Sequence, residues 1–385
     1  MTKDVFYISF SAFFADLGYQ AALAIFPIFL VVTLGAPASA FGTANAIAFG
    51  IGSAFGYLGG LMSDRFSDKK VAIFGNALIP LISLMGLASN PTTAVLLFSG
   101  GWWARNFRTP ARRAMLVKAS AKEDRGKSFG FLHALDIGGG MLSVAFVLVM
   151  AYIGLAYSTI LLLTVLPLIV STILLFFTRE TRKAAHAAVA KAKSVARGTR
   201  IAGSTYKGII ISTSLYGFSS YSLGFPILTI AQSSNALLGI GSYGVYLGIS
   251  AVVGYKIGSM KALNKVGALG ILGYVLSGLG TLILALGYAL HESVLMLYIG
   301  VAVLGFALGV VETLEPTLIS FIKGVRELGR GMGALAGSRS FGIFFANLIM
   351  GVLYVINPFD SYVYATTVSL VAGALMLYLG RGFKA

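Results

Sequence analysis

The chain alternates between long apolar stretches and short polar connections from Val5 to Leu379. About twelve of the apolar stretches reach roughly 20 residues, the length that an α-helix needs to cross a ~30 Å hydrocarbon layer. The pattern therefore predicts an all-α membrane protein with twelve transmembrane helices. The predicted spans are 5–33, 40–62, 71–89, 93–117, 128–153, 158–178, 207–231, 237–257, 266–289, 293–322, 332–356 and 361–380.

Lysine and arginine are distributed unevenly among the polar connections. If the N-terminus is cytoplasmic, all but three of the 29 Lys and Arg residues lie in or beside cytoplasmic connections, and the opposite connections carry none. Such an excess of basic residues on the cytoplasmic side is the rule that orients membrane proteins. It predicts a multi-pass protein of the plasma membrane with both termini in the cytoplasm.

Composition narrows the class of protein further. The chain is 57% hydrophobic and 11% charged, whereas a soluble domain carries about 25% charged residues. The formal charge of +16 fits attraction of cytoplasmic loops to anionic lipid, so we expect the lipid bilayer and no nucleic acid as a partner. Because the chain has no cysteine and only three scattered histidines, we expect no cofactor and no metal cluster of those residues.

A basic connection at residues 179–206 separates two parts with six predicted spans each. Pro110 and Pro316 end corresponding spans of the two parts and lie 206 residues apart. Arg125 and Arg330 open the following spans and lie 205 residues apart. The shared register predicts two pseudo-symmetric six-helix bundles, 1–178 and 207–385, an architecture that is found in transporters with a solute site between the repeats.

The connection between the second and third spans carries a recognisable motif. It reads Gly60-Leu-Met-Ser-Asp64-Arg65-Phe-Ser67-Asp68-Lys69-Lys70. This resembles the Gly-x-x-x-Asp-Arg-x-Gly-Arg/Lys-Arg/Lys signature of the major facilitator superfamily, with Ser67 at the usual glycine. The resemblance implies the fold of that family and secondary transport. It also implies a cytoplasmic gate formed by Gly60, Asp64, Arg65 and Lys69, with Arg112 from the fourth span within reach of Asp64.

Two further segments are similar to a poorly characterised prokaryotic subgroup of that family. Asp16-Leu-Gly-Tyr19-Gln20 in the first span resembles an Asp-x-x-Tyr-Glu pattern, with Gln20 in place of the acid. The segments 108–112 and 125–136 resemble the subgroup's signature in the fourth and fifth spans. The family carries sugars, drugs, ions and metabolites, so the resemblance leaves the substrate open.

Seven ionisable side chains are predicted within the membrane, where an ionised group costs about 2.5–3.5 kcal/mol or more unless it is paired or hydrated. They are Asp16, Arg105, Arg108, Asp136, Glu312, Glu315 and Arg339. Residues three apart lie on neighbouring positions of one helix face. We expect Arg105 and Arg108 to pair with Asp136. We expect Glu312 and Glu315 to pair with Arg339, which leaves Asp16 as the unmatched carboxylate.

These side chains form the candidate site. The candidates for proton coupling are Asp16, Asp136, Glu312 and Glu315, and static ion pairs between helices are the alternative. The candidates for substrate binding are Arg105, Arg108, Asn106, Tyr19, Gln20, Tyr216, Ser220 and Arg339. The polar residues 219–222, which precede Gly224 and Pro226, predict a broken helix that lines a cavity.

Together these features predict a monomeric, proton-coupled secondary transporter that moves a small organic solute, which could be drug-like or anionic, by alternating access. The sequence contains no Gly-x-x-x-x-Gly-Lys-Ser/Thr loop, which argues against coupling to ATP. No constellation of catalytic residues is evident, so we expect that the protein is not an enzyme. A facilitative uniporter, a divalent-ion carrier of the same fold and a non-transporting membrane receptor stay open as alternatives.

Overall fold

The computed structural model describes residues 2–121, 125–179, 201–260, 264–290, 294–322 and 328–379. Within these ranges all regular structure is helical, which confirms the predicted all-α class. Ten helical stretches of the described residues are long and apolar enough to cross a membrane. The predicted basic connection 179–206 lies mostly outside the described residues, which omit 180–200.

Residues 2–179 form the first set of helices. Its members are α1 (Lys3–Ile28), α2 (Ala38–Asn45), α3 (Gly52–Arg65), α4 (Asp68–Leu78), α5 (Leu81–Leu84), α6 (Pro91–Ala119), α7 (Arg125–Tyr152), α8 (Tyr157–Leu163) and α9 (Val165–Phe176). Short π-helical turns at Phe29–Thr33 and Ala46–Ile51 extend α1 and join α2 to α3. A 3₁₀ turn at Met85–Leu87 follows α5.

Residues 201–379 form the second set. Its members are α10 (Ile201–Gly217), α11 (Gly224–Ser233), α12 (Ala236–Ser259), α13 (Lys265–Ala268), α14 (Leu276–Ala289), α15 (Val294–Ile322), α16 (Leu328–Ile356) and α17 (Pro358–Leu379). A π-helical segment, Leu269–Val275, joins α13 to α14 into one continuous span. These elements correspond to the predicted spans seven to twelve.

Two predicted spans are helical but are not among the ten apolar stretches. Span four corresponds to α6, which is 29 residues long and carries four arginines in its second half. Span seven corresponds to α10 and α11, which are separated by the non-helical residues 218–223. The predicted broken helix is therefore confirmed. Pro226 falls in the first turn of α11, where a missing backbone N–H is tolerated.

Polar residues at the connections determine where several spans begin. The Asn90 side-chain oxygen accepts a hydrogen bond from the Thr93 amide at 2.9 Å, and Pro91 occupies the first position of α6. The Asn235 side chain caps α12 in the same way, with the Leu238 amide at 2.9 Å. Such caps satisfy backbone N–H groups that have no partner inside the helix. The polar connections therefore end one span and start the next within a few residues.

Each set is held together by long helix–helix contacts, and the two sets meet along three lines. Within the first set, α1 packs along α7 and α9, and α6 packs along α3 and α4. Within the second set, α15 packs along α12 and α14, and α17 packs along α14. The sets meet where α2 contacts α16, where α7 contacts α12 and where α1 contacts α11. A cavity between the sets is framed by these three contacts.

The two helix sets touch closely at one end of the molecule. We call the end where α1 begins at Lys3 and α17 ends at Leu379 the terminal face, and the other end the opposite face. Near the opposite face, Gly42 of α2 lies directly on α16. A Cβ atom at Gly42 would overlap the carbonyl oxygen of Asn347 and lie 2.7 Å from the Cα atom of Gly351. Only glycine permits this approach of the two backbones.

Aromatic rings complete the seal at the opposite face. The ring of Phe41 lies 5.1 Å from that of Phe225, with the ring planes nearly perpendicular, and it also covers Gly224. Towards the terminal face, added Cβ atoms at Gly130 of α7 and Gly337 of α16 would have no neighbouring atom within 4 Å. The two sets are thus in backbone contact near the opposite face, whereas these two positions towards the terminal face are uncovered.

Candidate functional site

A cavity of about 280 Å³ lies between the two helix sets. Its walls are largely aromatic, with Phe49, Trp102, Tyr216, Tyr221, Tyr243 and Tyr246 contributing rings. Polar groups come from Gln20 of α1, from Asn347 of α16 and from the serines of the break between α10 and α11. Arg339 is the charged residue of the lining. A small cavity with aromatic walls and a few polar groups is typical of a binding site for a small organic molecule.

Asp16 is buried in α1 beside this cavity, with 4% of its surface exposed. Its Oδ1 atom accepts hydrogen bonds from the Tyr19 hydroxyl and, at 3.5 Å, from the Gln20 amide nitrogen. Its Oδ2 atom is buried without a hydrogen-bond partner. The ion pairs formed by the described residues do not include Asp16. The expectation that this carboxylate is unmatched agrees with the structure.

Gln20 connects Asp16 to the second helix set. Its carbonyl oxygen accepts a hydrogen bond of 2.6 Å from the hydroxyl of Tyr243 on α12. Gln20 is among the ligands predicted from the sequence, whereas Tyr243 is not. A tyrosine within an apolar helix carries no signal in the sequence that distinguishes a bridging hydroxyl from a packed ring.

Arg105 is held by aromatic rings at the edge of the cavity. It donates to the Tyr19 hydroxyl at 3.3 Å and to the Asn106 side-chain oxygen at 3.3 Å. Its guanidinium carbon lies 4.7 Å from the ring centre of Trp102 and 4.9 Å from that of Tyr19. Such cation–π contacts stabilise a cation in a desolvated environment. Arg105 therefore forms one unit with Tyr19 and Trp102, behind the aromatic wall.

The neighbouring tryptophan occupies a different environment. The Trp103 indole N–H donates to the carbonyl oxygen of Ile47 at 3.1 Å. Its ring stacks on Phe55 with the ring centres 4.7 Å apart. Trp102 thus lines the cavity, whereas Trp103 joins α6 to the π-helical turn that precedes α3.

Arg108 points away from the cavity. Its side chain is buried, with 1% of its surface exposed, and it donates to the Asn76 side-chain oxygen on α4. Asn76 in turn donates to the hydroxyls of Ser171 at 3.1 Å and Thr172 at 2.8 Å. This network ties α6 to α4 and α9 within the first set. The expected pairing of Arg108 with Asp136 is therefore wrong.

Asp136 pairs instead with Arg112, with the Arg112 Nη2 and Asp136 Oδ2 atoms 3.6 Å apart. The expected pairing of Asp136 with Arg105 is also wrong, because Arg105 contacts Tyr19. The Arg112 side chain is 7% exposed and that of Asp136 is 26% exposed. Asp136 therefore lies between the buried Asp16 region and the open side of the molecule.

The carboxylates of α15 pair with α16 as expected. Arg339 Nη1 lies 2.7 Å from Glu312 Oε1 and 3.4 Å from Glu315 Oε2. Glu315 is buried and accepts a further hydrogen bond of 2.6 Å from the Tyr274 hydroxyl. The Glu312 side chain is 58% exposed. The pairing predicted from the sequence is confirmed, and Tyr274 is an additional partner that the sequence did not predict.

The break between α10 and α11 is stabilised by Asn347 and lined by two of the predicted residues. The Asn347 side-chain oxygen accepts a hydrogen bond from the Ser222 backbone amide at 3.0 Å. Ser220 donates to the carbonyl oxygen of Tyr216 at 3.1 Å, and the Tyr216 ring stacks on Tyr274 with centres 4.2 Å apart. Tyr216 and Ser220 therefore lie in the cavity wall, as a helix break in a membrane protein requires.

The predicted gate residues lie at the terminal face within the first set. Lys69 donates to the carbonyl oxygens of Phe176 at 2.8 Å and Thr178 at 2.5 Å. Gly60 faces Pro110 of α6, with a distance of 3.9 Å from an added Cβ atom. Arg65 is the last residue of α3. The Asp64 side chain lies outside the described part of the structure, so its predicted contact with Arg112 stays a prediction.

No group of three or more His, Cys, Asp or Glu residues among the described part of the chain could hold a metal ion. The predicted residues that do meet at the cavity are Gln20, Tyr216, Ser220 and Arg339. Tyr19, Asp16 and Arg105 lie behind its wall, with Asn106 bonded to Arg105.

The architecture and this cavity define a membrane transporter fold, and comparison with known proteins identifies the family. The family model described as Major Facilitator Superfamily matches residues 8–270. The chain therefore belongs to the Major Facilitator Superfamily. Members of this family are transporters and not enzymes, which agrees with the expectation from the sequence.

Individual relatives are distant in sequence and similar in fold. An uncharacterized MFS-type transporter of Methanocaldococcus jannaschii is 22% identical over 98% of this chain and 95% of its own length. A crystal structure of a POT family transporter in complex with a thioalcohol-conjugated peptide superposes with a TM-score of 0.80 at 12% identity, covering 99% and 96% of the two chains. A D-xylose–proton symporter gives 0.75 at 16% identity, covering both chains fully. A nucleoside transporter gives 0.75 at 14% identity, covering 99% and 100%.

Proposed function

We propose that this protein is a proton-coupled secondary transporter that moves a small organic solute across the plasma membrane by alternating access. One observation carries the proposal. The helix sets are in backbone contact at Gly42 near the opposite face, while Gly130 and Gly337 towards the terminal face have no neighbour within 4 Å, and a carboxylate with one unpartnered oxygen is buried beside the cavity. A sealed face, an open face and a proton acceptor are the parts that such a mechanism requires.

The two moving bodies would be the six-helix bundles 1–178 and 207–385, joined by the cytoplasmic connection 179–206. The contacts between the helix sets support this division, since they run along three helix pairs and leave the terminal side apart. With both termini in the cytoplasm, as the basic residues predict, the terminal face would be the cytoplasmic one. The transporter would act as a monomer.

Asp16 is the proton carrier in this proposal. Its Oδ2 atom can accept a proton without first breaking a hydrogen bond. Asp136, which is partly exposed beside Arg112, would exchange protons with the open side. Glu312 and Glu315 share Arg339, so loss of one carboxylate charge there would leave an ion pair intact.

The solute site is the aromatic cavity. Its charged lining residue, Arg339, is already contacted by two carboxylates, which favours polar solutes without a large net charge over strong anions. Arg105 is covered by Tyr19 and Trp102 and would reach Asp16 only through the Tyr19 hydroxyl. D-xylose, uridine and dialanine are suitable first probes, because structural neighbours of this chain include a D-xylose–proton symporter, a nucleoside transporter and peptide transporters.

The proposal is tested in liposomes that contain the purified protein and a pH-sensitive dye. Adding a transported probe should change the internal pH in wild-type vesicles. Asp16→Asn should abolish that proton movement while exchange of labelled probe for unlabelled probe continues. Asp360→Asn makes the same chemical change at an exposed position in the first turn of α17 and should behave as wild type. Exchange without any proton movement in the wild type would instead indicate a uniporter.

A further inference from the structure

A line of three side chains crosses the wall of the cavity from one helix set to the other. It runs from Asp16 through Gln20 to Tyr243, with a distance of 3.5 Å from the Gln20 nitrogen to Asp16 Oδ1 and of 2.6 Å from the Tyr243 oxygen to Gln20 Oε1. Gln20 and Tyr243 line the cavity, and Asp16 lies behind them. These three side chains form a polar connection between the buried Asp16 carboxylate and the cavity wall that a solute would touch.

The directions of these hydrogen bonds depend on the charge of Asp16. An ionised carboxylate can only accept hydrogen bonds, so the Gln20 side chain must turn its NH₂ group towards Asp16. Its carbonyl oxygen then faces Tyr243, and the tyrosine hydroxyl must donate to it. In this state the Tyr243 oxygen presents only a lone pair to the cavity.

Protonation reverses the requirement. The Tyr19 hydroxyl receives a hydrogen bond from Arg105 and donates its own hydrogen to Asp16 Oδ1. The added proton arrives on the unpartnered Oδ2, and rotation of the carboxyl group about its Cβ–Cγ bond brings the protonated oxygen to the position that faces Gln20 and Tyr19. A carboxylic O–H keeps lone pairs, so this oxygen still accepts from Tyr19 while its hydrogen points towards Gln20. The new O–H group needs an acceptor, since an unsatisfied buried polar group costs about 1–3 kcal/mol. The Gln20 amide supplies one by rotating its carbonyl oxygen towards Asp16. Its NH₂ group then donates to Tyr243, whose hydrogen turns into the cavity.

We propose that Gln20 and Tyr243 form a relay that changes the cavity wall from a hydrogen-bond acceptor to a hydrogen-bond donor when Asp16 is protonated. The relay rests on the proposed proton coupling and adds how protonation reaches the solute site. Gln20 is a positioning residue here. A side-chain amide carries a donor and an acceptor at every pH and exchanges them by rotation, whereas an ionised acid at this position could only accept.

Other charged and titratable groups surround Asp16, and none interrupts the line. Tyr19 lies on α1 itself, Arg105, Arg108 and Arg112 lie on α6, and Asp136 lies on α7; Tyr243 is the contributor from α12. Arg108 and Arg112 are bonded to Asn76 and Asp136, respectively. Arg105 fixes the orientation of Tyr19, and this leaves the Gln20 amide as the group that can reverse.

Infrared difference spectroscopy of the full-length protein, taken between acidic and neutral pH without any solute, tests the relay. In wild type we expect a carboxylic-acid band and a tyrosine C–O band that titrate together. Asp16→Asn should remove both bands. Gln20→Met and Tyr243→Phe should remove only the tyrosine band. Tyr221→Phe is the matched control and should retain it, because the Tyr221 hydroxyl lines the same cavity but bonds to Thr281.

Several outcomes would overturn the relay. A tyrosine band that persists in Tyr243→Phe, or a carboxylic-acid band with no tyrosine band in wild type, would do so while leaving the transport proposal intact. Absence of proton movement in the liposome assay would overturn the transport proposal separately. Labelling all 18 tyrosines with ring deuterium in the wild-type protein should shift the band. This shift would show that the band comes from tyrosine without any substitution.

Discussion

Replacing Gly42 by alanine should force the sealed face open. The substitution adds one carbon atom, which would overlap the Asn347 carbonyl oxygen and lie 2.7 Å from the Gly351 Cα atom. Non-bonded carbon atoms prefer separations of about 3.5–4.0 Å, so α2 and α16 must move apart by roughly 1 Å. Both obstructing groups are backbone, and neither can rotate aside. The contact between the two helix sets must therefore open.

The expected size of the effect follows from the cost of overpacking, which is typically about 1–3 kcal/mol. Alanine favours helix over glycine by about 1 kcal/mol, but we expect α2 to stay helical when the helix sets move apart, so this gain leaves the ratio of the two conformations unchanged. A bias of 1–3 kcal/mol corresponds to a change of about 5- to 150-fold in the ratio of the two conformations. The population of the conformation with an open opposite face, relative to the sealed one, should rise by that factor.

Spin-label distance measurements can detect this change, since the chain has no native cysteine. Labels at Val32→Cys and Ile356→Cys would report the separation of the helix sets, because both side chains are exposed near the opposite face, at 60% and 71%. Gly42→Ala should increase the population with the longer distance. Gly100→Ala is the control, since its added carbon meets Leu81 at an ordinary 3.6 Å. Equal distance distributions for wild type and Gly42→Ala would refute the prediction that the added carbon atom forces α2 and α16 apart.

Two further predictions concern buried polar pairs and are measured by thermal unfolding in detergent. Arg339→Ala should destabilise the protein by about 3–5 kcal/mol, because it leaves the buried Glu315 carboxylate without its cation. Adding Glu315→Gln to this variant should recover part of the lost stability. If the double variant recovers none, the unpaired charge is not the cause of the destabilisation. Asn76→Ala should cost about 1–3 kcal/mol by removing the hydrogen-bond acceptor of the buried Arg108. An unchanged melting temperature would contradict the structural role of that arginine.

The sequence was sufficient to predict the membrane class, the family and much of the arrangement of helices. The spacing of apolar stretches and the one-sided basic residues depend on the bilayer, which imposes the same length and the same charge rule on every span. The break before Pro226 and the pairing of Glu312 and Glu315 with Arg339 also followed from local signals. The spans, the orientation and the break are set by the bilayer or by nearby residues, and the Glu–Arg pairing follows from the high cost of an unpaired charge within the membrane.

The partners of the arginines in α6 could not be predicted, and helix geometry explains why. With 3.6 residues per turn, Arg108 is rotated by about 60° from Arg105, whereas Arg112 is rotated by only about 20°. Arg105 and Arg112 therefore face α1 and α7, and Arg108 faces α4. Treating Arg105 and Arg108 as one face ignored this rotation. The acceptor Asn76 lies in a different span, and its distance from Arg108 depends on tertiary packing alone.

The placement of the two tryptophans has a practical consequence. Trp102 lines the cavity beneath Arg105, while Trp103 stacks on Phe55 outside it. Arrival of a molecule in the cavity should therefore alter the intrinsic fluorescence of one indole and spare the other. A Trp103→Phe variant would carry a single tryptophan, at the binding site, so that unlabelled compound libraries could be screened by its fluorescence.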